Sequence, residues 1–261
     1  SQTLVPEKCP LCGASFIMIG FGSQRLEEEV KAKFPNAVVA RVDSDSMAGE
    51  DYYRLLKDFS DGRINILAGT QMLAKGLHFP NVTLVGIISA DTSLYLPDFR
   101  ANERTFQLIN QVAGRAGRSE KKGVVYVQTF LPEQPAIKFA LTGDFEGFIE
   151  EELKHRRACH LPPFWRLASV VLMDKKFDIL EDAAKGLKEL IDSILQQNNL
   201  EAVVRGPMPA TISRIQRFHR IQIIVQAPTP QILEKLFSGL RRHEIKTSAR
   251  IVIDIDPVHL L

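Results

Sequence analysis

The sequence predicts an α/β protein in two parts, a lobe built on a parallel sheet followed by a smaller α+β domain. Three observations predict it. As far as residue 130, apolar runs ending in Gly or polar turns alternate with segments of helical period, the order that builds a parallel sheet covered by helices. Runs such as TLVGII at 83–88 are apolar without alternation, as strands buried on both faces are. Leu161-Pro162-Pro163-Phe164 then marks a boundary, because two successive prolines cannot continue a helix. Beyond it the elements run β-α-β-β-α-β, the order of a ferredoxin-like split βαβ domain.

Each element has a local reason. Residues 1–15 read as a turn-rich lead, and Phe16–Gly20 as a short strand entering the turn Gly20-Phe21-Gly22-Ser23. Ser23 is placed to cap a helix running to Phe34, with Glu27, Glu28 and Glu29 in its early turns where the dipole favours acids. Pro35 stops it. VVARVD at 38–43 is a strand, and 51–60 a helix with Tyr53, Leu56 and Phe59 on one side. INILAGT at 64–70 is a strand entering a turn, and VTLVGIISAD at 82–91 a buried strand. A helix over 101–112 is interrupted by Gly114 and Gly117, and GVVYVQTF at 123–130 is the next strand. Helices at 135–142 and 144–157 follow. After the proline pair come a strand (167–173), a long helix (179–197), strands at 202–205 and 220–227, a helix (231–240) and a last strand at 251–256.

Composition excludes several classes. The 261 residues are 45% hydrophobic and 25% charged, ordinary for a globular protein of one large or two modest domains. No apolar run reaches the roughly 18 residues of a membrane span, and the N-terminus lacks the basic-then-apolar pattern of a signal peptide. Three cysteines cannot form a disulfide framework, so a reducing cytoplasm is expected. Opening on Cys9 and Cys12, the chain reads as a piece of a longer protein. The net charge of +2 announces no partner, but its distribution is uneven. Acids crowd the first half (Glu27, Glu28, Glu29, Asp43, Asp45) and arginines gather later, at Arg205, Arg214, Arg217 and Arg220.

Three segments carry chemistry. In QVAGRAGR, Gln111 to Arg118, Arg115 and Arg118 each follow a glycine, after a helix and before a strand. Guanidinium groups stabilise charge on a transferring γ-phosphoryl, and glycine lets the backbone approach a partner closely. The plainer alternative is a turn with solvated arginines. In ILAGTQMLAKG, a strand ends at Gly69-Thr70 and a polar turn leads to Lys75-Gly76. Open α/β sheets bind ligands beyond the carboxyl ends of their strands. There Thr70 and Gln71 offer groups suited to backbone phosphates, and Gly76 permits close approach; alone, the segment is a plain strand–loop–strand. In GFGSQRLEEEV, a strand, a Gly-rich turn and a helix start around Ser23 can hold a phosphate on free N–H groups, or be only a tight turn.

In order and spacing these three resemble motifs IV, V and VI of superfamily 2 helicases. Taken with LPDFRANERTFQL (96–108), the LPPF junction and the terminal DIDP, the chain from about Cys9 onward resembles the primosomal protein N′ (PriA) family of bacterial replication-restart helicases. GTQMLAKG and PDFRANER are the specific signatures, since many motors share the G-R pairs. The resemblance implies a RecA-like second helicase lobe at 16–160 and a C-terminal DNA-binding domain at 161–261, after a remnant of a cysteine-rich zinc region at 1–15. It implies an ATP- and Mg2+-dependent helicase translocating 3′ to 5′ on forked and single-stranded DNA. Primosome and helicase-loading proteins and single-stranded DNA-binding protein are the implied partners. Gln111, Arg115 and Arg118 are the implied catalytic residues, Lys75 and Gly76 nucleotide-binding, and Ser23, Thr70 and Gln71 DNA-contacting. Leu77, followed by His78, stands where the family usually has His, and Gly22-Ser23-Gln24-Arg25 where GTE-like sequences are common. No G-x-x-x-x-G-K-[ST] and no DEXH occurs, so this chain alone is expected to be inactive.

Cys9-x-x-Cys12 supplies two thiolates at zinc-ligand spacing, but a structural zinc needs four ligands. The resemblance makes the pair half of a site in the intact protein, with zinc as cofactor. In this chain alone the pair reads as idle thiols. Arg214, Arg217, His219 and Arg220 lead into an alternating strand and offer DNA phosphates a basic edge, or are merely solvated. His155 and His160 flank Cys159 without ligand spacing and read as structural. The runner-up function is a nucleic-acid or protein-binding module without motor activity. A third, a different superfamily 2 motor, is disfavoured by the proline junction and DIDP.

Overall fold

The structure, a computed structural model, describes residues 22–42, 50–70, 79, 81–114 and 123–260. It divides into two compact units, one of Ser1–Leu94 and Arg104–Gly143, the other of Tyr95–Glu103 and Asp144–Leu261.

In the first unit α1 (Ser23–Lys33) starts one residue earlier than a Ser23 cap would require. Gly22 occupies the cap position, no side chain caps the helix, and Ser23 is its first helical residue. The acids fall past the first turn, where they pair along the helix: Arg25 with Glu29 at 3.0 Å and Lys31 with Glu27 at 2.7 Å. β1 (Val39–Val42) runs parallel to β2 (Ile66–Gly69), with Val42 opposite Gly69. Between them α2 (Glu50–Ser60) turns Leu56 inward and leaves Tyr53 74% exposed. The inward stripe begins at Tyr52, one residue before the expected position, because Tyr52, Leu56 and Phe59 share the helical period.

β3 (Leu84–Ile87) pairs in parallel with β4 (Val124–Val127). Leu84 faces Val124 and Gly86 faces Tyr126 in register, and this face is exposed, with Leu84 at 62%. The apolar run at 83–88 therefore does not mark a strand buried on both sides. Among the described residues the lobe holds two parallel pairs. Between β3 and β4 lie α3 (Asp91–Leu94) and α4 (Ala101–Ala113), the latter burying Ala101, Thr105, Phe106 and Ile109 at helical spacing. α5 (Pro135–Thr142) begins on proline, whose fixed φ suits a first helical position, and ends on Gly143 in the left-handed region (φ 67°).

The second unit opens its helical part at α6 (Phe145–Ala158), capped by Asp144, whose carboxylate accepts the Gly147 N–H at 2.8 Å. The sequence expectation placed α6 with the preceding lobe; it groups with the C-terminal residues because buried Glu152 and Arg156 bond to residues 102, 103 and 162. β5 (Arg166–Asp174), α7 (Phe177–Gln197), β6 (Val203–Ile215), β7 (Phe218–Ala227), α8 (Pro230–Leu240) and β8 (Arg250–Ile255) follow. The sheet order β6-β7-β5-β8, antiparallel throughout, is the ferredoxin-like arrangement expected. Its core joins Val170, Leu172, Ile223 and Val225 of the sheet to Leu187, Ile191, Leu233 and Leu236 of the two helices. Burying each such side chain contributes about 1.5–3 kcal/mol, several times a surface ion pair. Asp174 ends β5, three residues before α7 begins. Its carboxyl is held below the usual range by the Lys176 N–H, against desolvation, with help from the Ser248 hydroxyl at 3.1 Å.

Two predictions follow from backbone and burial. Gly206 has φ 95°, and a Cβ there would lie 2.7 Å from the Gln222 carbonyl oxygen. Gly186, inside α7, has open space around it. Gly206→Ala should lower stability by about 1–3 kcal/mol, whereas Gly186→Ala should raise it by up to about 1 kcal/mol. Urea unfolding read from Trp165, the single tryptophan, separates the two. Asp91 is fully buried. Desolvation pushes its pKa up, but the Thr129 hydroxyl (2.6 Å), the Phe130 N–H (2.9 Å) and further backbone donors outweigh it, so the net shift is downward. A depressed carboxyl pKa contributes stability that is present above the unfolded value and lost as pH falls through the folded one. Protection of the β3 and β4 amides, measured against the intrinsic exchange rate at each pH, should therefore fall in acid below the ordinary carboxylate range. Asp91→Asn should remove that acid dependence and already lower the protection at neutral pH.

Candidate functional site

Parallel strands present their carboxyl ends together, so the register Val42–Gly69 sets the exits of β1 and β2 side by side. Thr70 leaves β2 at that edge and is exposed. Gln71, Lys75 and Gly76, which follow in sequence, lie outside the described residues, as do Arg115, Arg118, Cys9 and Cys12. Ser23 is half-buried at the start of α1. Gln111 is exposed near the end of α4, whose final turn closes with the Gly114 N–H donating to Asn110.

Sequence reasoning missed Asp91. At the exit of β3, Ser89 adopts φ 57° and contacts the Thr92 hydroxyl at 3.0 Å, while the Ala90 N–H donates to the Gln128 carbonyl. Asp91 and Thr129 thus tie the exits of β3 and β4 to each other. All the hydrogen bonds described here hold the Asp91 carboxylate inside the fold, which makes it a structural tie for this edge. The signal in the sequence is an acid directly after an apolar strand, paired with a threonine after the next one.

The basic cluster of the second unit sits on one hairpin. β6 and β7 meet at a two-residue turn, Gln216-Arg217, with Gln216 at φ 55°. Arg214 pairs with His219 and Ile215 with Phe218. Alternation along the strand therefore puts Arg214 on the His219 face, Arg220 on the opposite face and Arg217 at the tip. Arg214 and Arg217 are exposed. Arg220 is half-buried and donates to the Ile212 carbonyl at 3.2 Å, bracing β6 against β7. Two aromatic contacts were not anticipated. Lys175 lies 5.5 Å from the Phe218 ring centre, and Phe177 meets His219 edge-on at 5.6 Å. Exposed cations interleaved with half-exposed rings suit a nucleic-acid strand, since the cations meet phosphates and the rings can stack bases.

His155 and His160 take up structural contacts. His155 lies 3.6 Å from the Cys159 sulfur, and His160 stacks on Trp165 at 4.1 Å. Among the described residues no cluster of three or more His, Cys, Asp or Glu can hold a metal ion. Cys9 and Cys12 lie outside the described residues, and a pair of thiols is two short of the four ligands a structural zinc needs. No helix among them is long and apolar enough to cross a membrane.

Comparison with known proteins matches residues 13–120 to the helicase conserved C-terminal domain and residues 157–258 to the primosomal protein N C-terminal domain. Replication restart protein PriA of Bacillus subtilis (strain 168) is 39% identical over 266 residues, covering 98% of this chain and 32% of the relative. That of Treponema pallidum (strain Nichols) is 39% identical over 262 residues, covering 100% of the chain and 39% of the relative. That of Haemophilus influenzae is 37% identical over 264 residues, with 100% and 36% covered. The chain thus spans between 32% and 39% of the length of these relatives. With a helicase C-terminal domain followed by a primosomal C-terminal domain, and with relatives of one name along its whole length, the chain belongs to the PriA family of replication restart proteins.

Proposed function

We propose that this chain supplies the second motor lobe and the C-terminal DNA-binding domain of an ATP-dependent helicase that moves 3′ to 5′ and restarts stalled replication forks by primosome assembly. The observation that carries this reading is the succession of the two matched domains, in which α4 runs directly into Gly114-Arg115-Ala116-Gly117-Arg118. In the intact protein Arg115 and Arg118 stabilise the charge developing on the γ-phosphoryl of ATP, with Gln111 beside them in sequence. Lys75 and Gly76 border the nucleotide. Thr70, Gln71 and Ser23 meet the DNA backbone. ATP with Mg2+ is the fuel, and Cys9 and Cys12 contribute to a zinc site completed by other residues. The partners are forked and single-stranded DNA, primosome and helicase-loading proteins and single-stranded DNA-binding protein, in the cytoplasm.

In the C-terminal domain the free phosphate contacts are Arg214 and Arg217 at the hairpin, with Arg220 bracing it from within. This is also where the alternative, a binding module without a motor, finds its support, and the two readings separate on ATP turnover.

The chain alone should not hydrolyse ATP, with or without DNA, because it contains no phosphate-binding loop or DEXH box. In the intact protein Arg115→Ala and Arg118→Ala should each slow DNA-stimulated turnover by at least about tenfold while leaving thermal stability in place; arginine fingers reach about 10³–10⁵ in phosphoryl transfer. Wild-type turnover in both variants would overturn the motor assignment and leave the binding module. Separately, Arg214→Ala with Arg217→Ala should flatten the salt dependence of duplex binding by about 1.8 in log–log slope, from about 0.9 per phosphate contact. Arg220→Ala should instead loosen the hairpin, read as faster amide exchange in β6. An unchanged slope in the double variant would move DNA contact off this hairpin.

A further inference from the structure

One of the two specific signatures of the chain, PDFRANER at 97–104, has so far no chemical part in the motor. The structure places it against Arg156, whose residue is only 8% exposed. Its Nε donates to Glu152 Oε1 at 2.7 Å and its Nη2 to Glu103 Oε2 at 2.9 Å. Nη1 donates to the Pro162 carbonyl at 3.4 Å, the residue that opens the path from α6 to β5. Asn102 donates to the other oxygen of Glu152 at 3.3 Å, and the guanidinium lies 5.5 Å from the Phe99 ring centre. Asp98, itself buried, accepts the Arg100 N–H at 2.9 Å and so shapes the entry to α4. One planar guanidinium thereby holds the first turn of α4, the last turn of α6 and the proline junction at once. A lysine cannot do this, since its ammonium lacks the fixed fork of donors.

We infer that Arg156 and Glu103 are positioning residues that couple DNA to the motor reaction: they fix the starting end of α4, the helix that carries Gln111 near its far end and is followed in sequence by Arg115 and Arg118. α4 is a single helix of 13 residues, roughly 20 Å long at 1.5 Å per residue. A stiff rod clamped at one end transmits displacement of the other. Displacement of the far end of α4 during ATP turnover therefore reaches its first turn, where Glu103 meets Arg156. The Arg156 guanidinium and the Glu152 carboxylate are buried, so leaving either unpaired is strongly disfavoured, whereas Glu103 is partly exposed and its contact can open and close.

This inference rests on the motor reading above, and its test keeps the two apart. The intact protein would be prepared as wild type, Glu103→Gln, Arg156→Lys and Arg156→Met. ATP turnover is measured without DNA and with saturating forked DNA, alongside thermal unfolding and amide exchange of α4. In Glu103→Gln, which keeps the shape and loses the charge, basal turnover should stay within about twofold. The stimulation by DNA should fall by about fivefold or more, the lower end of typical coupling between sites, and exchange in the first turns of α4 should accelerate. Arg156→Lys should change in the same direction. Wild-type stimulation in both variants overturns the inference and leaves the motor reading standing. Basal and stimulated turnover falling together with the unfolding temperature also overturns it, assigning the cluster to folding alone; Arg156→Met gives the size of that purely structural effect. A wild-type protein with no DNA-stimulated turnover removes the motor reading and the inference with it.

Discussion

Strand β7 is the constraint on which the second unit depends. From Ile221 to Ala227 seven consecutive residues are buried, so both of its faces are covered. Ile221, Ile223 and Val225 face the two helices, while Gln222, Ile224 and Gln226 face away. It pairs with β5 through nine residues on one side and with β6 on the other. Most of the stability of a helix in a protein comes from packing its apolar face, and the stripe of Leu180, Leu187, Ile191 and Ile194 on α7 has this sheet to lie on. The hairpin that presents Arg214 and Arg217 is the free end of the same strand, so its position is inherited from the core.

Polar groups inside the fold solve problems that apolar packing cannot. Gln226 is nearly inaccessible, yet its amide is fully used: Nε2 donates to the carbonyls of Cys159 and His160, and Oε1 accepts from Arg205 at 2.7 Å. It satisfies backbone acceptors where the chain leaves α6 in an irregular path, with His160 at φ 57°. Asp91 does the same for backbone donors at the exits of β3 and β4. Leaving such groups unpaired would cost about 1–3 kcal/mol each. Their presence marks the places where the chain changes direction inside the protein.

Elements with a strong period and a clear stop were legible in the sequence. α5 and α6 were separable because Gly143-Asp144 supplies a left-handed ending and a cap in two residues. The β-α-β-β-α-β order was legible because each apolar run there is longer than a turn and bounded by Pro, Asn or Gly. What escaped was whatever depends on partners distant in sequence. Tyr52 and Tyr53 look alike locally, and only the fold decides which turns inward. The 83–88 run is apolar throughout, so its composition does not reveal which face is exposed. β6 extends to Ile215, well past the AVVR segment, because pairing with β7 recruits residues of weak strand preference such as Pro209. Of the candidate site, the arginine cluster was legible as a charge run. Lys175 and Phe177 were not, since they join it only through the β5–β7 register.

β8 lies at the open margin of the four-stranded sheet, with one side paired to β5. Such a margin is a template on which another chain can add a strand, and Val252, Ile253 and Ile255 are exposed along it. Arg250, Asp254 and Asp256 are interspersed with them and also exposed. A strand arriving from a neighbouring molecule would have to strip water from these charges before gaining any ladder hydrogen bond. The alternation of ionic and aliphatic side chains in the last strand therefore guards the protein against aggregation at high local concentration, a property unrelated to anything the hairpin or the lobe does.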